Sequence, residues 1–429
     1  MKIQLNHKLK SGALQFTVFV AVLIALLLSG LILYAYTFGY MKEQSKAAIE
    51  NIQLSDTAIA YLLEQSEISK DTLTIDFINK EKQTVKVQVS PWGIFEKAVA
   101  VTQHRKKIFT KLAIIGSTSS AANSPTLFLQ EILNPLTLVG NTKIKGTAYL
   151  PSQGVKSGYI AGNSYYGSQL IYGKIERSAS ELPQLHKKTL DQLAFYNNEY
   201  KPRKQEDYIN LEATRRLVNS FKARTKNVYS KDVLVLKDVT FTGNIVIKSD
   251  TLIIIKKTAL LKDLIVIAPI IEIESGTTGN FQALATKRIT VGKDCTLNYP
   301  SALVLYQDNK LPKINISNIP FDNQIFIDAA SIIKGSVCYL QTKTESDYNT
   351  QIVLEKQSRI KGQVYCNGNF ELKGTVSGSV YTKQFIANQA GSIFINHIYE
   401  GTIENENVPA FFGGIVFEKE RKTVMKWLY

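Results

Sequence analysis

The chain has 429 residues, of which 45% are hydrophobic and 20% charged, a composition that folds and excludes a disordered polymer. Lys and Arg outnumber Asp and Glu by 51 to 36, but the +15 surplus is spread along the chain. It reads as a solvated surface that suits anionic lipid or polysaccharide, not as a nucleic-acid arm. Cys295, Cys338 and Cys366 form no CxxC pair, which excludes a thioredoxin motif or a zinc knuckle, and they read as buried apolar side chains.

Residues 1–12 form a basic leader carrying Lys2, Lys8 and Lys10. Ala13 to Phe38 then runs without a charge, longer than the ~20 apolar residues that span a bilayer. A transmembrane helix over 13–38 follows, with its basic flank inside and the rest of the chain outside. Tyr34, Tyr36 and Tyr40 mark the outer interface. The run exceeds the ~7–15 residues of a signal-peptide core, which argues against cleavage on the outer side. Residues 39–68 continue as an amphipathic helix, with Ala48, Ile52, Ile59 and Leu62 at helical spacing.

Lys10-Ser11-Gly12 followed by Ala13-Leu14-Gln15-Phe16-Thr17 resembles the start of the type IV pilin-like proteins, including the minor pseudopilins of type II secretion systems. The resemblance covers residues ~8–65. It implies cleavage by a prepilin peptidase after Gly12, leaving Ala13 as the new N-terminus. The family's usual first residue is Phe or Met, and its glutamate at the fifth mature position falls here on Thr17. That departure argues against a major repeating subunit and suits a tip-like minor one. A plain signal anchor is the alternative reading of the same segment.

Residues 69–116 predict a β-meander with a turn at Pro91-Trp92-Gly93, and 117–139 reads as a linker, led by the Ser/Ala/Asn-rich run Gly116 to Pro125 (GSTSSAANSP). Residues 140–180 hold a first β-repeat segment, 181–229 a helical excursion with helical spacing over His186–Tyr196 and Leu211–Phe221, and 230–429 a β-helix-like domain. Ile144-Lys145-Gly146 is echoed at Ile333-Lys334-Gly335, Ile360-Lys361-Gly362 and Leu372-Lys373-Gly374. Short strands with small residues at corners are what a parallel β-helix needs, and the excursion would lie along its outside or over an open end. The fold class is therefore mainly β: an N-terminal transmembrane helix, a meander and a solenoid, with a β-sandwich as the alternative. The repeats resemble bactofilin-like β-helices in texture only.

No motif for nucleotide, metal or nucleophile chemistry occurs, and His7, His104, His186 and His397 are widely separated. Asp238, Asp250, Asp263 and Asp294 read as corner residues in preference to catalytic carboxylates. No catalytic, cofactor-binding or metal-binding residue is expected, and no cofactor. Gly12 and Ala13 are the candidate processing site. Tyr159, Tyr165, Tyr166 and Tyr172 are candidate glycan contacts, or else a solvent-facing strand with turns.

These features together read as a non-enzymatic envelope protein of a bacterial inner membrane, with a periplasmic head that assembly could carry to the surface. Its role would be that of a minor subunit in a pseudopilus, secretion or pilus machine. The expected partners are the bilayer, through residues 13–38, and other envelope or pilin-like proteins, with polysaccharide a further candidate and nucleic acid not expected. The alternatives are a surface-anchored adhesin that binds polysaccharide and a β-helix carbohydrate-active enzyme.

Overall fold

The computed structural model describes residues 11–65, 73–75, 83–104, 107–118, 124–198, 200, 207–307, 323–342, 348–405, 412–418 and 420–428. The leader, apart from its last two residues, lies outside them.

Helix α1 (Ser11–Glu64) is a single run of 54 residues, about 80 Å at ~1.5 Å per residue. Polar side chains in its apolar half bond to their own backbone: Thr17, Ser29 and Thr37 hydroxyls donate to Leu14, Leu26 and Leu33 carbonyls, each at 2.9 Å. These three hydroxyls then need no partner from an apolar surrounding. The second half packs on a sheet through Ala58, Ile59 and Leu62, which meet Val85, Val87, Ala98, Ala100 and Ile115.

Ile59 and Leu62 lie on the buried stripe as expected, but its earlier turns differ. Ala47, Asn51 and Ser55 face the sheet, whereas Ala48 and Ile52 are exposed. The seam is partly polar: Asn51 Nδ2 donates to Lys107 O at 3.2 Å on the sheet, while Asn51 Oδ1 is buried without a hydrogen-bond partner among the described residues, and Ser55 Oγ donates to Ile52 O at 2.7 Å within the helix. At Ala48 and Ile52 the apolar pattern therefore lies one position from the buried Ala47 and Asn51.

The sheet is the meander: β1 (Leu73–Ile75), β2 (Gln83–Trp92), β3 (Phe95–His104) and β4 (Lys107–Thr118), antiparallel in that order. Trp92 pairs with Phe95, so the turn is Gly93-Ile94, with Gly93 at φ 65°, while Pro91 and Trp92 still belong to β2. The C-terminal strand Lys422–Leu428 pairs antiparallel with β4, as does Gly413–Gly414. The end of the chain thus belongs to this sheet, which corrects the assignment of all of 230–429 to the β-helix.

The rest is a parallel solenoid with three faces. On its first face Thr240, Leu260, Thr278, Thr296, Ile332 and Arg359 sit at equivalent places in successive rungs. Inward side chains stack into one apolar column that includes Leu261, Ile289, Ile333, Ile360, Phe370 and Phe385. Asp238, Asp263 and Asp294 take left-handed corners at φ 55°, 59° and 57°, a conformation Asp tolerates better than most residues.

The winding is not in sequence order. The turn that ends at Thr402–Glu404 is continued by Leu127–Leu129, whose parallel partners are Val380 to Thr382. Next come Leu136–Val139 beside His397 to Tyr399, and Lys143–Lys145 beside Thr402 to Glu404. The chain enters late in the winding, completes one end at Ile175–Arg177, returns along the outside and starts the other end at Arg216–Asn219. The expected linker 117–139 therefore contains two solenoid strands, short ones that a reading by composition passes over.

At the joint Asn405 Nδ2 donates to Ser124 O at 3.3 Å. An outward aromatic stack runs from Tyr365 through Tyr381 and Phe128 to Tyr149, with ring centroids 6.4, 6.2 and 5.7 Å apart, and so bridges the two parts.

Helix α2 (Lys187–Asn198) fulfils half of the expected helical excursion and lies along the outside of the solenoid. Leu211–Phe221 is not helical: it turns after Asn210 and enters the strand Arg216–Asn219. Its apolar spacing serves another purpose, because Ile209, Leu211 and Leu217 pack over the interior at that end. The opposite end is covered by Tyr165, Leu170 and Ile171. These loops, not the helix, protect the open strand edges.

Helix, meander and solenoid form layers. Trp92, Phe95, Ile114, Phe417 and Leu428 meet Leu284, Val304, Cys338 and Tyr365 of the second solenoid face, together with Leu193 and Tyr196 of α2. The solenoid residue Gln282, 3% exposed, fastens the β2–β3 turn. Its Nε2 donates to Trp92 O at 3.0 Å and its Oε1 accepts from Ile94 N at 2.8 Å.

Candidate functional site: the exposed apolar helix

The first half of α1 touches nothing else in the molecule. Leu14, Leu26, Ile32 and Tyr36 are 72%, 67%, 71% and 72% exposed. Leaving such side chains in water forgoes about 1.5–3 kcal/mol each, so this surface requires a covering. Among the described residues α1 is the helix long and apolar enough to cross a membrane. Gly12 and Ala13 lie in its first turns, both exposed, and a Cβ added at Gly12 would meet nothing within 4 Å. Lys2, Lys8 and Lys10 lie outside the described residues.

The other candidate residues do not converge. His104 sits beside Glu50 at 3.1 Å, the ring of His186 accepts from Lys188 N at 3.3 Å at the start of α2, and His397 Nδ1 lies 2.7 Å from Ile395 O. Burial holds the His397 pKa below the ordinary value. Asp250 accepts from Tyr229 OH at 2.6 Å, and Asp263 pairs with Lys426 at 2.6 Å, which ties the C-terminal strand to a solenoid corner. Among the described residues no group of three His, Cys, Asp or Glu could hold a metal ion.

The four tyrosines are brought to one loop at the Ile175–Arg177 end of the solenoid. Tyr159 and Tyr166 are 67% and 58% exposed. Tyr165 is half-buried and donates to Gln169 O, and Tyr172 lies 3.2 Å from Ser168 Oγ. Tyr165 is therefore largely a capping residue, while Tyr159 and Tyr166 are available to a ligand.

All three cysteines are buried free thiols. Burial pushes the Cys338 thiol well above its ordinary value and Cys366 up to about 12. The thiolate is the reactive form, so both are inert near neutrality. The folded protein is expected to take up no iodoacetamide at pH 8 over an hour and three equivalents after denaturation. Intact-mass measurement checks this, and labelling of the native chain would contradict the burial.

No protein-family model matches the chain, and no curated protein sequence matches it. A solved structure similar to it is the crystal structure of the competence-associated pilin ComZ from Thermus thermophilus. It is 12% identical, with 89% of this chain and 96% of that chain covered and a TM-score of 0.16. A superposition that loose carries no argument about this chain.

Proposed function

We propose that the chain is a membrane-anchored, pilin-like minor subunit that acts in assembly of a pseudopilus or a related secretion or pilus machine, and that it is not an enzyme. One observation carries the reading: a single continuous helix exposes its whole apolar first half and packs its second half on a four-stranded antiparallel meander. Inserted as a single span with the basic leader inside, α1 meets lipid and the helices of neighbouring subunits. The solenoid then stands in the periplasm, or outside the cell once assembly has carried it there. Thr17 bonds its own backbone at Leu14 O and offers no carboxylate to a neighbour's terminal amine, which suits a minor subunit in place of a repeating one.

The test is the mature N-terminus, read by mass spectrometry on protein extracted from its native membrane. The expected chain begins at Ala13, and Gly12→Val is expected to leave it uncut. A native chain that retains Met1 would replace this reading with that of an ordinary signal anchor.

A further inference from the structure

The first face of the solenoid carries a charge pattern that no stretch of sequence displays. Most rungs flank a buried apolar residue such as Leu261, Leu297, Ile333 or Ile360 with two side chains that are exposed or half-buried, while Asn280 and Ser377 at these places are buried. Following the register along the winding, the exposed Arg216 opens the face, and Lys262 comes two rungs later beside the exposed Leu260. Two rungs of hydroxyls and amides follow, with Thr278, Asn280, Thr296 and Asn298. Then comes a dense cationic step of Lys334, Arg359 and Lys361. Thr375, Ser377, Thr402 and Glu404 fill the next two rungs, and Lys143 and Lys145 form the last cationic step across the joint. With rungs ~4.8 Å apart, Lys262 stands about 14 Å from Lys334, and Lys361 about 14 Å from Lys145.

Within the central step Lys334 and Lys361 are direct register partners. Like charges placed opposite each other on neighbouring strands destabilise a sheet. Lys334 Nζ is held by Asn298 Oδ1 at 3.0 Å, an uncharged partner. Among the described residues the two columns contain one acid, Glu404, which accepts from Ser377 Oγ at 3.1 Å. Lys262, Arg359, Lys361 and Lys143 are exposed. At the far end Lys143 Nζ lies 5.7 Å from the Tyr172 ring centre, so the face leads into the loop that exposes Tyr159 and Tyr166.

We infer that this face binds a linear acidic polysaccharide, with its carboxylates or phosphates on the lysine and arginine steps, its hydroxyls on the intervening threonines, and its last sugars against Tyr159 and Tyr166. Charge complementarity selects the occupant. A neutral glycan offers no charge to the exposed Lys262, Arg359, Lys361 and Lys143. Single-stranded nucleic acid wants aromatic side chains on which to stack its bases, and the columns hold none before Tyr172. Duplex DNA carries a charge every ~1.7 Å, far denser than cationic steps separated by two uncharged rungs. The inference does not depend on how α1 is anchored.

The test uses the full chain in detergent, with immobilised alginate as the polyuronate, dextran as the neutral control and single-stranded DNA of similar charge. Alginate is expected to bind, more weakly as salt rises, and dextran not to bind. The variant K334Q/R359Q/K361Q is expected to lose about tenfold or more in alginate affinity with its melting temperature unchanged, while K334R/K361R retains binding. Equal binding of alginate and dextran would overturn the inference, as would tighter binding of DNA or an unaltered affinity in the glutamine variant.

Discussion

Gly378→Ala is expected to destabilise the solenoid by about 3 kcal/mol or more, against about 1 kcal/mol for Gly276→Ala. Both glycines have positive φ, 151° and 76°. They differ in what a methyl group would meet: nothing within 4 Å at Gly276, but the carbonyl oxygen of Gly362 at 1.8 Å at Gly378. That oxygen belongs to the backbone of the preceding rung and cannot swing away as a side chain would. Gly362 is crowded in turn by Gly335 O at 2.1 Å, and Gly335 by Ser301 O at 1.9 Å. Relief at one level therefore displaces the next, and a stack whose rungs contact only their neighbours passes that displacement along. Chemical unfolding of both variants measures the difference. Equal losses would show that the corner column has room the geometry denies it.

The same column shows what the sequence could disclose. The Ile-Lys-Gly motif marks a true structural place at Gly146, Gly335 and Gly362, all at positive φ on the corner after the first face. The fourth copy, Leu372-Lys373-Gly374, lies at the corner before that face. Its place in the column is taken by Val376-Ser377-Gly378, which the motif search passed over. Local chemistry, a glycine between short apolar runs, was legible; which corner each copy occupies was not. α1 and the meander were legible because their periods are internal to each element. The split winding was not, since nothing near Leu127 names Val380 as its partner. The cationic face was hidden for the same reason. Thr278 meets Thr296 but Thr296 meets Ile332, so unequal insertions scatter one face's residues along the chain. The tyrosine loop was found because its residues are contiguous, although sequence alone did not separate the capping Tyr165 from the exposed Tyr159 and Tyr166.

Lys422→Met is expected to cost about 3–5 kcal/mol, because it strands a buried carboxylate. Lys422 Nζ lies 2.6 Å from Glu96 Oε2, and both residues are 8% exposed. The pair links the C-terminal strand to β3 across β4, within the layer that joins α1 to the solenoid. Replacing both charged residues with apolar ones, Glu96→Leu with Lys422→Met, removes the uncompensated charge and is expected to recover most of the loss, since a buried ion pair contributes little net stability against well-packed apolar residues. The consequence reaches beyond the pair. Two chain segments join meander and solenoid, one leaving β4 and one returning to Gly413–Gly414, and the C-terminal strand closes that loop on the helix-bearing sheet. If the strand loosens, the Phe417 and Leu428 contacts with the solenoid and with α2 are exposed with it. Limited proteolysis should then release a solenoid fragment from the helix-bearing part in Lys422→Met, but not in the parent or the double variant. A single variant as resistant as the parent would mean that the apolar contacts alone hold head and anchor together.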